Sequence, residues 1–204
     1  RILQPVCGSY RSYEVCSMAP PSSGGIALIQ ILNILENVDL ISLDHNSEEY
    51  LKILISAMDY AYKDRAEYLG DPSFYEVPQN LLTSKKYAKN VYQLIQEEKL
   101  PTKATVNIIE SEETTHFSIL DKWGNAVSNT YTLNTAYGSG IIPTGTGILM
   151  NNEMDDFSSK PGFPNAYGLV GSEANKIEPK KTPLSSMSPV IVFRQGKPYL
   201  ITGS

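Results

Sequence analysis

The sequence predicts an α+β protein, and the order of its hydrophobic patterns is the main reason. Apolar residues recur at helical spacing in the first half of the chain, whereas short alternating runs bounded by glycine and proline fill much of the second half. Helices followed by strands are typical of the α+β class or of a layered αβ architecture. The 204 residues are enough for one large domain or two small ones, burying about 70% of the extended-chain surface.

Three helices are predicted in the first half. The segment 26–36 is apolar on nearly every side, and its length favours a buried helix over a strand. A second helix spans residues 48–69, with Asp44 or Asn46 as its cap, and a third spans residues 84–99.

The Ser-Ser-Gly-Gly turn at residues 22–25 comes directly before the first helix. Free N–H groups at such a helix start can bind an anion. The favoured alternative is that the small residues let the helix pack closely against a sheet.

Strands follow in the second half. Residues 113–120 and 126–134 read as a hairpin, because polar and apolar residues alternate along both segments. Since strand side chains have period two, Thr130, Thr132 and Asn134 are expected on one polar face. A second hairpin joins strands 190–193 and 198–202 through a turn at residues 195–197.

Composition excludes several function classes. The net charge is −5, and no Lys/Arg cluster is dense enough to follow a nucleic-acid backbone. No apolar run approaches the length of a membrane span. His45 and His116 lie far apart in sequence, so neither a zinc site nor a Ser-His-Asp triad is suggested, and we expect no cofactor.

Cys7 and Cys16 are the two cysteines, nine residues apart. They could form a disulfide across a short hairpin. With so few cysteines, the favoured reading is two unrelated small apolar residues.

Seven segments, in order and covering nearly the whole chain, resemble the γ-glutamyltranspeptidase family. Three look like its signature segments: Thr-Thr-His-Phe-Ser at 114–118, Asn-Asn-Glu-Met-Asp-Asp-Phe at 151–157, and Pro-Leu-Ser-Ser-Met-Ser-Pro at 183–189. The others lie at residues 18–25, 62–72, 124–127 and 165–171. Without this resemblance, Thr114 is an ordinary strand threonine and residues 151–156 are a turn or, less favoured, a weak calcium loop.

The resemblance implies the N-terminal-nucleophile hydrolase fold, a four-layer αββα sandwich, present here in part. It also implies a precursor that cleaves itself between Glu113 and Thr114. Residues 1–113 are then the C-terminal part of a mainly helical large subunit. Residues 114–204 are the N-terminal part of a mainly β small subunit. Thr114 Oγ would attack the preceding carbonyl, and the α-amine released by cleavage would serve as general base. His116 is then a strand residue and not a base.

The remaining site residues are carried over position by position. Thr132 matches the threonine that orients the nucleophile. The donor's α-amino group is expected to be held by Asn134, Glu153 and Asp156. Its α-carboxylate is expected to be held by Ser185 and Ser186. Carboxylates suit an ammonium, whereas hydroxyl and N–H donors suit a carboxylate. Asn152 and Asp155 are expected to shape the loop.

The implied activity is transfer of a γ-glutamyl group from glutathione or related compounds to water, an amino acid or a peptide. The intermediate would be a γ-glutamyl-threonine ester. Alternatives are a related acylase or polyglutamate transpeptidase, or a non-processing homologue that only binds ligand. Family members act in the periplasm, as secreted proteins or on the outer cell surface, so the same location is expected here.

In the family the small subunit continues after a Gly-Ser pair into Pro-Gly-Gly, whose N–H groups form the oxyanion hole. The sequence stops at Gly203-Ser204, one residue short of that segment. It also lacks an earlier arginine that pairs with the donor carboxylate. The resemblance therefore implies an internal segment spanning the maturation site, and we expect it to be inactive alone, because oxyanion donors contribute about 10²–10³ in rate.

Overall fold

The structure is a computed structural model, and it describes residues 2–98, 114–163 and 171–204. Glu113 lies outside these ranges, and so do residues 165–170 of the segment 165–171 that carries part of the resemblance. The helices are α1 (Gly24–Leu35), α2 (Glu48–Tyr68), α3 (Gln79–Leu82) and α4 (Lys85–Gln96). The strands are β1 (Val6–Tyr10), β2 (Tyr13–Ser17), β3 (Thr115–Leu120), β4 (Ala126–Tyr131), β5 (Val190–Arg194) and β6 (Lys197–Thr202).

The three predicted helices are confirmed, with differences at their ends. The cap of α2 is Ser47, whose side chain accepts a hydrogen bond from the backbone N–H of Tyr50, so the prediction of Asp44 or Asn46 was wrong. Ser84 caps α4 in the same way. The short helix α3 was missed, because four residues are too few for a periodic pattern.

Four strands form one antiparallel sheet in the order β1-β2-β5-β6. Strand β2 pairs with β5 from Glu14 opposite Phe193 to Ser17 opposite Val190. The first and last segments of the chain therefore share a sheet. The predicted division at residues 113 and 114 stays a prediction, but the two parts are joined by strand pairing.

Cys7 and Cys16 form a disulfide, so the favoured reading of two unrelated cysteines was wrong. The two residues are directly opposite in the β1–β2 hairpin, with their Cα atoms 4.1 Å apart. This cross-strand pairing brings the side chains within bonding distance.

Helix α1 lies between the sheet and the other helices. On one side Ile26 and Ile29 pack in a core cluster with Val6 and Leu184. On the other, Ile34 packs in a second cluster with residues of α2 and α4. Because α1 is buried on both sides, its nearly continuous hydrophobicity is explained.

The start of α1 also lies against backbone. A Cβ atom added to Gly25 would stand 2.3 Å from the carbonyl oxygen of Met18. The favoured reading of the turn at residues 22–25, close packing rather than anion binding, agrees with this geometry.

The β3–β4 hairpin forms a separate two-stranded sheet against β5 and β6. The Ser128 hydroxyl donates to the carbonyl of Thr202 at 2.7 Å and accepts from the N–H of Val190 at 3.0 Å. In the described part of the chain, α1 thus contacts β1 and β2 of the four-stranded sheet, and the hairpin contacts β5 and β6. The predicted α+β class is confirmed. None of the helices in the described ranges is both long and apolar enough to cross a bilayer.

Strand β4 ends at Tyr131, so the prediction that the strand continues to residue 134 was wrong. Thr132 and Asn134 lie in the turn after it. Their shared polar face is therefore not a strand face, and their positions depend on the loop described next.

Candidate active site

Thr114 and Thr132 face each other at the open end of the hairpin. Thr115 pairs with Tyr131 in the β3–β4 ladder, so the residues just outside that pair come together. The Thr114 hydroxyl donates to Thr132 Oγ1 at 3.3 Å. The predicted contact between these two threonines is thus present, although Thr132 is not in the strand.

Asn134 turns the chain back toward Thr132. Its backbone φ is +77°, a left-handed conformation that asparagine tolerates better than most residues. Its N–H donates to Thr132 Oγ1 at 2.9 Å. The Thr132 hydroxyl oxygen therefore has two donors, Thr114 and Asn134, which fixes its position beside the Thr114 hydroxyl.

Asn152 ties this turn to the loop that carries the acidic residues. Its carbonyl accepts from Asn134 Nδ2 at 3.3 Å, and its Oδ1 accepts from the N–H of Thr135 at 3.2 Å. Its own side-chain amide donates to Asp155 Oδ2 at 3.2 Å. Asn152 and Asp155 thus shape the loop, as the sequence predicted.

Glu153 and Asp156 stand at the two ends of one short 3₁₀-helix, Glu153–Asp156, and their carboxyl groups interact. Burial, then the hydrogen bond with Asp156, raises the pKa of Glu153 to about 7. Burial also raises the pKa of Asp156, although Glu153 and the positive charge of Arg65 oppose that rise. Two close carboxyls cannot easily ionise together, so the pair holds a proton near neutral pH. An incoming ammonium would favour the doubly charged state.

Ser185 and Ser186 are held by the turn before α1. Ser185 donates its N–H to the carbonyl of Pro21 at 2.9 Å and accepts from the N–H of Ser23 at 2.9 Å. The Ser23 hydroxyl donates to the same Ser185 carbonyl at 2.9 Å. The Ser22 hydroxyl donates to the carbonyl of Met187. This network fixes both sides of Ser186.

Arg65, on α2, is a site residue that sequence reasoning missed. Its Nη2 donates to Ser186 Oγ at 3.0 Å, and it attracts Asp156 electrostatically. Arg65 lies inside the segment 62–72 that resembles the family, but that match assigned it no role. A buried arginine cannot be told from a surface one by helical spacing alone.

His116 is placed as predicted, in strand β3. Its Nδ1 lies 2.7 Å from Thr130 Oγ1 and its Nε2 lies 3.2 Å from Ser118 Oγ. Both ring nitrogens are thus occupied by hydroxyls. A possible ligand group of Cys7, Glu14 and Cys16 offers no thiolate, because its two sulfurs are joined in the disulfide.

Thr114 and Thr132 therefore form the first group of the candidate site, and Asn134 is bonded both to Thr132 and to the acidic loop. Glu153 and Asp156 form a second group. Ser185 and Ser186 form a third, which Arg65 links to the second. The predicted cleavage partner Glu113 lies outside the described residues.

The whole chain superposes on a larger enzyme structure. A cephalosporin acylase from Bacillus halodurans matches 98% of the chain with a TM-score of 0.73 and 24% identity, and the match covers 34% of that structure. This likeness shows that the chain shares its fold with that part of the acylase structure.

Sequence comparison identifies the family to which the chain belongs. A family model described as gamma-glutamyltranspeptidase matches residues 1–204. The glutathione hydrolase proenzyme of Escherichia coli (strain K12) is 53% identical over 205 residues, which is 98% of this chain and 35% of that relative. An acylase ACY 1 proenzyme from Pseudomonas sp. (strain SE83) is 37% identical over 195 residues, covering 95% and 33%. The chain belongs to the γ-glutamyltranspeptidase family.

The chain spans about a third of the length of these curated relatives, since the two matches cover 35% and 33% of them. The activity of the whole protein is therefore a matter for proposal.

Proposed function

We propose that the full-length protein carrying this chain is a γ-glutamyltransferase and glutathione hydrolase. It would first cleave itself between Glu113 and Thr114, and then use Thr114 as the nucleophile. The observation that carries the proposal is the contact between the hydroxyls of Thr114 and Thr132 at 3.3 Å, in a turn that Asn134 ties to the loop of the acidic pair.

Self-cleavage begins with attack of Thr114 Oγ1 on the carbonyl carbon of Glu113. The C–N bond breaks and the acyl group passes to oxygen, giving an ester and the free α-amine of Thr114. Water then opens the ester, so Glu113 leaves with a new carboxylate. The Thr132 hydroxyl, held by the N–H of Asn134, keeps the attacking oxygen in place.

Turnover uses the same oxygen. The α-amine of Thr114 takes the hydroxyl proton while Oγ1 attacks the γ-carbonyl of the donor. The tetrahedral intermediate collapses to the γ-glutamyl ester, and the leaving amine departs with that proton. Water or the amine of an amino acid or peptide then attacks the ester, which restores the Thr114 hydroxyl.

Donor selection follows from the two polar groups around this nucleophile. The acidic pair Glu153 and Asp156, with Asn134, suits an α-ammonium. Ser185 and Ser186 suit an α-carboxylate. A γ-glutamyl group carries both, at the end away from its reacting carbonyl.

A specific observation supports a second candidate, an acylase, because a relative with that name is 37% identical over 195 residues. Donor profiling separates the two. We expect strict dependence on a free α-amine and α-carboxylate. A donor that lacks both groups and reacts equally well would favour the acylase or another acyl donor, such as a polyglutamate.

The decisive experiment uses the full-length protein and its T114A variant with a chromogenic γ-glutamyl anilide. The wild type should release the aniline, and its small chain should begin Thr-Thr-His-Phe. T114A should lose both self-cleavage and turnover, because no hydroxyl remains to attack. Turnover by T114A would contradict the proposal. An uncut wild type after long incubation would favour a homologue that only binds ligand.

A location outside the cytosol belongs to the same proposal. It is supported by the Cys7–Cys16 disulfide, since such bonds persist mainly in oxidising compartments. Fractionation of cells expressing the natural full-length protein tests it.

A further inference from the structure

Arg65 is buried beside the serine pair, with 7% of its surface exposed. Its Nε donates to Ser23 Oγ at 3.1 Å, and its Nη2 donates to Ser186 Oγ at 3.0 Å. Helix α2 thus reaches both the turn before α1 and the serine pair through one side chain.

Burying the charged guanidinium of Arg65 costs more free energy than burying an apolar side chain at the same position. Burial lowers the pKa of Arg65, while Tyr62 and Asp156 act in the opposite direction, and arginine stays protonated in any case. Both of the hydrogen bonds above go to neutral hydroxyls. Packing alone is served at least as well by an apolar side chain, because replacing buried charges in this way is often neutral or stabilising. The retained charge therefore points to a role in the site.

The bond to Ser186 has a directional consequence. A hydroxyl has one donor and two acceptor positions. Because an Arg65 N–H occupies an acceptor position, the Ser186 O–H must point elsewhere. Ser23 is used in a similar way, since it accepts from Arg65 and donates to the Ser185 carbonyl. A cation behind a hydroxyl also strengthens that hydroxyl as a donor to an anion.

Arg65 also acts on the acidic group. Asp156 is affected by a hydrogen bond with Glu153 and by the charges of Arg65 and Asp155, of which Arg65 is the cation. It lowers the pKa of Asp156, against the larger effect of burial. Arg65 thus connects to the serine pair by hydrogen bonding and to the acidic pair by charge.

We propose that Arg65 is a positioning residue of the donor site, which directs the Ser186 hydroxyl toward the donor α-carboxylate and links the serine pair to the acidic pair. The inference rests on the proposed function. Arg65 acts through Ser186 and Asp156, and it belongs to the segment 1–113, whereas those two residues belong to the segment 114–204.

The test compares R65M and R65K in the full-length protein. For R65M we expect the donor KM to rise about tenfold or more, as for loss of one charge-assisted hydrogen bond. The kcat should change by less than about threefold, because the threonine pair is untouched. The acid limb of kcat/KM should move to higher pH, because Asp156 loses the cation that lowers its pKa.

The R65K variant separates the effect of the positive charge at residue 65 from the effect of its directed hydrogen bonds. Lysine keeps the positive charge but lacks the planar fork that reaches two hydroxyls at once. Its KM should therefore rise as in R65M, while its acid limb stays where the wild type has it. A residue that only supports folding would lower the melting temperature and the yield of cleaved protein in both variants without moving KM or the acid limb.

Lys63→Met on the same helix is the matched control, because Lys63 is exposed and the same charge is removed. It should leave KM and the pH profile unchanged. An unchanged KM in R65M overturns the inference. If R65M yields no cleaved protein, an unchanged KM in R65K overturns it. Failure of the wild type to hydrolyse a γ-glutamyl anilide would instead overturn the proposed function, so the two failures are distinguishable.

Discussion

At the scale of single residues, the chemistry depends on which groups share a proton or a hydrogen bond. The Thr132 oxygen accepts from Thr114 and from the N–H of Asn134, so it stays beside the Thr114 hydroxyl. Glu153 and Asp156, in contrast, are hydrogen-bonded to each other. Their carboxyls compete for one proton, because both are partly buried and close together. If the pair binds an ammonium as proposed, the ligand would favour loss of that proton.

A pH dependence of stability follows from Glu153. Its pKa is raised from 4.5 to about 7, so the folded state binds more protons than the unfolded state between these values. Stability from this group is therefore complete below about pH 4.5 and is lost as pH rises through about 7. E153Q cannot lose that proton. The melting temperature of E153Q minus that of wild type should increase from pH 4.5 to 7 and then level off. A difference that stays constant across this range would contradict the raised pKa.

At the scale of elements, the site depends on how closely α1 approaches the backbone of its neighbours. The turn before α1 supplies the hydrogen bonds that fix residues 185–187, and Gly25 has no room for a side chain beside the Met18 carbonyl. The position of the serine pair therefore depends on the position of the start of α1. Small residues here serve the site through packing.

Gly25→Ala tests this coupling in the full-length protein. The added Cβ would lie 2.3 Å from the Met18 oxygen, so backbone must shift. Overpacking of this kind costs about 1–3 kcal/mol, more than alanine gains over glycine in a helix. We expect lower stability in urea together with a higher donor KM.

Ser84→Ala provides the comparison. It removes the side-chain cap of α4, which accepts from the N–H of Tyr87 at 3.1 Å, at a cost of about 1 kcal/mol. The donor KM should not change, because α4 carries none of the site residues. Equal KM values for the two variants would show that the approach of α1 does not set the serine pair.

At the scale of the whole molecule, the proposed cleavage point divides the chain but not the fold. Strand β2 comes before it and β5 after it, and they pair along four residues. Leu184 lies in the same core cluster as Ile26 and Ile29. Residues before and after the proposed cleavage point therefore share one sheet and one hydrophobic core cluster.

We therefore expect the two products of self-cleavage to remain associated without a covalent bond. Size-exclusion chromatography of the cleaved full-length protein in native buffer should give one peak that contains both chains. Its elution volume should match that of uncut T114A. Denaturing concentrations of urea should separate the chains. Two peaks in native buffer would contradict the expectation.

Several features were predictable because they are local. Helix α1, the body of α2 and the β5–β6 hairpin follow from periodicity within about a dozen residues. The site residues came from ordered motifs that resemble a family, and the family is confirmed over residues 1–204. Their individual roles remain predictions.

The tertiary structure decided what depends on distant residues. The Cys7–Cys16 bond follows from strand register, and the end of β4 at Tyr131 follows from a loop tied to Asn152. The contact of Arg65 with Ser186 joins residues 121 positions apart. The raised pKa of Glu153 requires burial beside Asp156. The sequence by itself determined the family and the local elements, because periodicity and motifs depend only on residues that are close together in the sequence. The burial of each residue, the register of the strands and the partner of each polar group depend on how distant elements pack against one another.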